Sequence, residues 1–163
     1  MYPLNLLKPA LSLLTVCLLV TNANAETKPD CFVKAEDVSK VMGFKVSAPK
    51  VDNSYGLSCE YAGQAFSLRL LFKPLSGVPF DQYLQFSYPK DAKRQAVAGD
   101  PDKALILSQS KSLQVPDFAQ IVYERKGYLV EWHVAGGVYE AKTRDAVVAA
   151  HNQALLKLPR APK

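Results

Sequence analysis

Beyond residue 25, the 163-residue chain contains no apolar run near the roughly 18 residues that a membrane-spanning helix needs, so a polytopic membrane protein is excluded. Histidine is scarce, with two in the chain, and there is neither a Cys-x-x-Cys nor a His-Glu-x-x-His spacing. Zinc and dithiol redox chemistry therefore lack their usual ligand sets. Gly-x-Ser-x-Gly, a glycine-rich phosphate loop and a dinucleotide fingerprint are also missing. No catalytic, cofactor-binding or metal-binding set is expected, and the chain reads as a non-enzyme without a cofactor. An Arg-rich run and alternating basic and aromatic residues are absent, which argues against nucleic acid as a partner. No Asn-x-Ser/Thr sequon occurs, which favours a bacterial periplasm over a eukaryotic secretory route.

What is present first is an export signal over residues 1–25. Lys8 supplies the positive region, Leu11 to Val20 the apolar region, and Ala23-Asn24-Ala25 a small-residue cleavage site. The rest, 26–163, reads as a single domain, periplasmic or secreted, with no stable membrane insertion. Lipidation at Cys17 is disfavoured because Val16 stands where a small residue is wanted. Cys31 and Cys59 then remain as an even pair, and an oxidising compartment makes them a disulfide. Closing that loop stabilises the fold by about 3.6 kcal/mol on the chain-entropy account. Without Lys8, 19 Lys+Arg face 15 Asp+Glu, a net charge of +4. Lys90, Lys93, Arg94, Lys103 and Lys111 gather in one polar stretch diluted by Asp91, Asp100 and Asp102. A solvated surface is the plainer reading of that stretch, and an anionic envelope partner the alternative.

Ala35 to Met42 puts Ala35, Val38, Val41 and Met42 on one helical face, with Glu36 and Asp37 in the first turn and Gly43 at a left-handed C-cap. Phe44 to Val46 looks extended, and Ser47 to Gly56 reads as polar loop. Leu57 to Ala62 and Ala65 to Lys73 alternate around Gly63-Gln64, which suits a type II′ hairpin pairing Tyr61 with Phe66, Cys59 with Leu68 and Leu57 with Leu70. Val78-Pro79 opens a second helix that Tyr88-Pro89 ends. Residues 89–103 read as a charged link, Ala104 to Ser108 as a candidate strand and Gln109 to Ser112 as loop. A second hairpin, Ala119 to Arg125 and Tyr128 to Ala135, turns at Lys126-Gly127 and pairs Tyr123 with Val130, Ile121 with Trp132 and Ala119 with Val134. Glu140 to Leu158 reads as a final helix burying Val147, Val148, Ala154, Leu155 and Leu158.

This order implies an α+β fold: an antiparallel sheet built from two hairpins, with helices packed on one face. A helix and hairpin occur twice before the last helix, so the domain is also read as pseudo-duplicated. Cys31 before a helix ending at Gly43, the Ser58-Cys59-Glu60-Tyr61 strand, and Val115-Pro116 leading into the Lys126-Gly127 hairpin and final helix form a further pattern. It touches about half of the mature chain and resembles small bacterial exported α+β domains of unknown function, many of them lipoproteins. The resemblance implies a fold and no activity, and the missing lipidation motif departs from it.

Two residue sets are candidates for function. Opposite Trp132, the second hairpin carries Gln120, Glu124, Glu131 and His133. A carboxylate beside an imidazole suits acid–base work or part of a metal site, while a wet sheet face needs the same residues for solvation alone. On the wet-face reading, replacing His133 or Glu131 with Ala changes stability by no more than about 0.5 kcal/mol. His151 falls in the apolar stripe of the final helix and reads as a core or boundary residue, kept from His133 by the sheet. Phe80, Tyr83, Phe86 and Tyr88 are too many aromatics for one side of a short helix, so some are candidates for an interaction surface. The leading expectation is a non-catalytic binding module of accessory, inhibitor or immunity type whose partner is another envelope or secreted protein. A small-ligand or anionic-envelope-component binder and a hydrolase using His133 and Glu131 are the alternatives.

Overall fold

The computed structural model describes residues 30–108, 119–136 and 143–161. The expected export signal, the Gln109–Ser112 loop, Val115-Pro116 and the start of the expected final helix lie outside the described residues.

Helix α1 spans Ala35–Met42, as the spacing predicts. Its Val38 and Met42, one turn apart, are buried, while Glu36 and Asp37 in the first turn and Lys40 in the last complement the helix dipole. Gly43 ends it at φ 76°, and its N–H donates to the Ser39 carbonyl. The Ser39 hydroxyl accepts from the Val46 N–H, which fixes the exit of the chain.

Strands β1 (Lys50–Asp52), β2 (Leu57–Ala62) and β3 (Phe66–Pro74) form a meander. Helix α2 (Phe80–Ser87) follows, then β4 (Arg94–Ala96), β5 (Leu105–Leu107), β6 (Ala119–Arg125) and β7 (Tyr128–Gly136). Helix α3 spans Arg144–Leu155. Among the described residues the strands make one antiparallel sheet of order β1-β2-β3-β7-β6-β5-β4. The α+β architecture is therefore as expected, with two short edge strands that lay hidden in segments read as loop and charged link.

The second hairpin has the expected register, Ile121 on Trp132 and Tyr123 on Val130. Its turn residues Lys126 and Gly127 both have positive φ, 53° and 75°, which is the backbone of a type I′ turn. The first hairpin differs. Tyr61 lies opposite Leu68, Cys59 opposite Leu70 and Leu57 opposite Phe72, a displacement of two residues. A type II′ turn at Gly63-Gln64 needs positive φ at Gly63, which Gly63 lacks. Instead Gly63 donates to Phe66 O at 2.8 Å, and the chain reverses over Gln64-Ala65. Gly63 also bridges to Val46, and a Cβ on it would lie 3.3 Å from the Phe44 ring. The glycine serves close packing in the strand, not the turn. A slip of two keeps every side chain on its expected face.

On the Trp132 face, Cys59, Tyr61, Leu68, Leu70, Ile121, Tyr123, Val130, Trp132 and Val134 are buried together with residues of α1 and α3. Cys31 and Cys59 are joined across a Cα–Cα distance of 6.0 Å, anchoring the entrance to α1 on β2. Tyr61 donates to Val33 O at 2.6 Å, and burial pushes its phenol up to about 12. His151 on α3 packs edge-on against Phe66 and Phe44, and Leu155 and Leu158 are buried as expected. Val147, Val148 and Ala154 are only half-buried.

The placement of α2 corrects the expectation that all helices share one face. Leu84 packs with Leu75, Leu107, Val122 and Leu129, which point away from Trp132, and Phe80, Tyr83, Tyr88, Leu71 and Leu105 join them. The reason is topological: β3 sits mid-sheet and β4 is the far edge, and the chain between them runs over the second face. Accordingly β6 is buried on both sides from Ala119 to Tyr123, whereas in β2 buried Leu57, Cys59 and Tyr61 alternate with more exposed residues.

Two outcomes test this packing. Trp132→Ala is expected to cost about 3 to 5 kcal/mol in urea unfolding, and Trp132 emission, blue-shifted when folded, moves red on unfolding; a red-shifted native emission contradicts the face assignment. Thiol titration of denatured, unreduced protein finds Cys31 and Cys59 unreactive, and two reactive thiols contradict the bond.

Candidate functional site

The polar residues facing away from Trp132 on β6 and β7 were expected to be wet, and two of them are not. Gln120 is 5% exposed and Glu131 8% exposed, because α2 and the segment after it cover them; His133 is half-buried and only Glu124 is exposed. Replacing Glu131 is therefore not the neutral surface change that the sequence suggested.

Tyr88, just past the end of α2, supplies the lid. Its hydroxyl donates to Glu131 Oε2 at 2.6 Å, and the Gln120 amide donates to Glu131 Oε1 at 2.9 Å and lies 3.4 Å from the Tyr88 oxygen. Both carboxylate oxygens are thus held by neutral donors. Burial, followed by the adjacent Glu131 carboxylate, pushes the Tyr88 phenol far above its ordinary value, so the proton stays on Tyr88. The group works as a latch between the α2 exit and β7.

Beside the latch, Lys50, Glu60, Arg69, His133 and Gln120 lie in one cross-strand row over β1, β2, β3, β7 and β6. Arg69 Nη2 stands 4.0 Å from Glu131 Oε1, but its side chain is half-exposed, so the attraction is screened. Burial lowers the His133 pKa, the Arg69 guanidinium lowers it further, and Glu131 opposes both. Sequence reasoning missed Arg69 and the Tyr88 contact, because the β3–β7 pairing that creates the row has no local signal.

The arrangement brings Gln120, Glu131 and His133 together and leaves Glu124 apart. Glu124 instead lines a cleft of about 420 Å³ with Phe80, Asp102, Lys103 and Arg125, where Arg125 pairs with Asp102 at 3.0 Å. His151 sits against the Trp132-face core, so the sheet separates it from His133, as expected. Of the four aromatics proposed as a surface, Phe80, Tyr83 and Tyr88 are drawn into the second core, and Phe86 remains outside at 79% exposure.

Ser-x-x-Lys spacings, which sequence reasoning also missed, occur at Ser47–Lys50, Ser87–Lys90 and Ser108–Lys111. That chemistry needs serine and lysine one helical turn apart on the same face. Ser47 and Lys50 lie outside any helix, Ser87 ends α2 with Lys90 beyond it, and Lys111 is outside the described residues. No group of three or more His, Cys, Asp or Glu among the described residues is placed to hold a metal ion. No helix among them is long and apolar enough to cross a membrane. No family model matches the chain, and no curated protein or solved structure matches it either.

Two measurements probe the latch and the histidine environments. Tyr88→Phe removes a donor to a buried carboxylate and is expected to cost about 1.5 to 3 kcal/mol in chemical unfolding; a loss under about 0.5 kcal/mol means Tyr88 is not seated on Glu131. For pH, His133 and His151 both have lowered folded-state pKa values, the latter through burial. Above the ordinary value of 6.5 both states are neutral and their contribution is complete; as pH falls through 6.5 toward the folded values the unfolded chain gains protons first, and stability drops. Urea midpoints should decline between pH 7.5 and 5, less steeply in a His133→Gln/His151→Leu double variant; equal slopes refute the assignment.

Proposed function

We propose that the protein is an exported, non-catalytic interaction module that docks on another envelope or secreted protein through the outward side of α2. Phe86 carries this reading. It is 79% exposed on a helix whose Leu84, Phe80 and Tyr83 are packed into the second core and whose exit is latched by Tyr88. A rigidly presented aromatic loses little conformational freedom on binding, which is what makes such residues effective anchors. Glu131 is 8% exposed beneath Tyr88 and Gln120, which supports the same reading over a hydrolase, since a general base must come within hydrogen-bond reach of the substrate proton it takes. The disulfide supports an oxidising compartment.

The test is a photo-crosslinking amino acid placed at position 86 and, as a control, at Tyr55, which is more exposed still. One discrete protein adduct specific to position 86 and competed by unlabelled protein is expected. Phe86→Ala should abolish competition while changing stability by less than about 0.5 kcal/mol. Indistinguishable adducts at the two positions, or undiminished competition by Phe86→Ala, contradict the proposal.

A further inference from the structure

Beside α2 the surface opens into a cleft of about 490 Å³, lined among the described residues by Gln85, Lys90, Ala92 and Arg94. Its chemistry differs from that of the cleft at Glu124. There, Lys103 and Arg125 face Asp102 and Glu124, and Arg125 is paired. Here two cations and a carboxamide share the lining, and no carboxylate is among the described lining residues.

Arg94 is not loose. It begins β4 and its Nη2 donates to the Leu84 carbonyl at 2.9 Å, so the guanidinium is held against the last turn of α2. That bond also answers the main objection to an anion at this place. The C-terminal end of a helix carries roughly half a negative charge, whereas Lys90 and Arg94 bring two full positive charges, and one already covers a terminal carbonyl. Among the described lining residues the balance is positive, with Asp91 adjacent in the chain but not among them. A guanidinium fixed at one nitrogen keeps other N–H groups for a planar or tetrahedral oxyanion, an ammonium adds a point charge, and a carboxamide adds neutral donors.

We propose that this cleft is an anion-binding site for a phosphate group, with Arg94 as the fixed donor, Lys90 as the mobile charge and Gln85 as the orienting amide. The site goes beyond the docking role of Phe86 and stands independently of it. Free phosphate and a lipid phosphodiester share the required chemistry.

The experiment uses the intact domain at about 0.15 M salt, where diffuse attraction is screened beyond roughly 8 Å. Backbone amide resonances are followed while inorganic phosphate is added, and sedimentation is measured with phosphatidylglycerol and with phosphatidylcholine vesicles. Saturable shifts at Gln85, Lys90, Ala92 and Arg94, weakened roughly tenfold by Lys90→Glu and unchanged by Lys45→Glu, establish a site for the free anion. Binding to phosphatidylglycerol vesicles alone, lost in Lys90→Glu and kept in Lys45→Glu, establishes the site with lipid as the source. Arg94→Gln should weaken either mode, but its bond to Leu84 also supports α2, so Lys90→Glu is the deciding variant. No saturable response to either probe, or a response that Lys90→Glu and Lys45→Glu reduce equally, overturns the proposal. Neither result bears on the crosslink at position 86, so the two readings fail separately.

Discussion

The antiparallel ladder between β3 and β7 holds the molecule together. It runs from Phe66 opposite Gly136 to Pro74 opposite Tyr128 and joins the β1–β3 meander to the β4–β7 meander in one sheet. Its inward residues Leu68, Leu70, Val130, Trp132 and Val134 are the centre of the main core, on which α1 and α3 rest. The same ladder forces the chain leaving β3 to travel to the distant edge β4. Helix α2 therefore crosses the second face, and Val122 and Leu129 find apolar partners there instead of water. A two-sided core over β6 and β7 and a one-sided core over β2 follow from that single pairing.

Crossing the second face also buries polar groups, and the Tyr88–Glu131–Gln120 latch is how the fold accommodates them. A buried carboxylate without donors is costly; with a phenol and an amide on its two oxygens it becomes a fixed tether. A comparable arrangement fastens the other end of the domain, where Arg160 pairs with Asp100 and lies over the Tyr123 ring, while Arg125 pairs with Asp102. These contacts pin the exit of α2 and the segment after α3. They leave the outward side of α2, with Phe86 and the basic cleft beside it, as a firm platform and not a mobile loop.

Local signals in the sequence carry much of this. The 3.6-residue spacing and Gly43 define α1, and Lys126-Gly127 with alternating Tyr123, Val130 and Trp132 defines the second hairpin down to its register. The face of Cys59 is legible too, even though Gly63 misplaces the turn, because a shift of two residues conserves the pleat. What is not legible depends on pairing between distant segments. Nothing near Arg69 announces His133 as its neighbour, and nothing near Tyr88 announces Glu131. Gln120 and Glu131 look like solvated residues because alternation reports only that a face differs from the core, not whether a helix later covers it. The short edge strands Lys50–Asp52 and Arg94–Ala96 escape notice for a related reason: all six residues are exposed and polar or small apart from Val51, so they have pairing partners without a hydrophobic pattern.

Native-state amide hydrogen exchange examines the central pairing most directly. If β3 and β7 are the common spine, the amides of Leu68, Leu70, Val130 and Trp132 exchange only through global unfolding and share one opening free energy, while those of α2 open at a lower one. If β1 to β3 instead open as a unit with β6 and β7 still protected, the β3–β7 ladder is not what holds the two halves together.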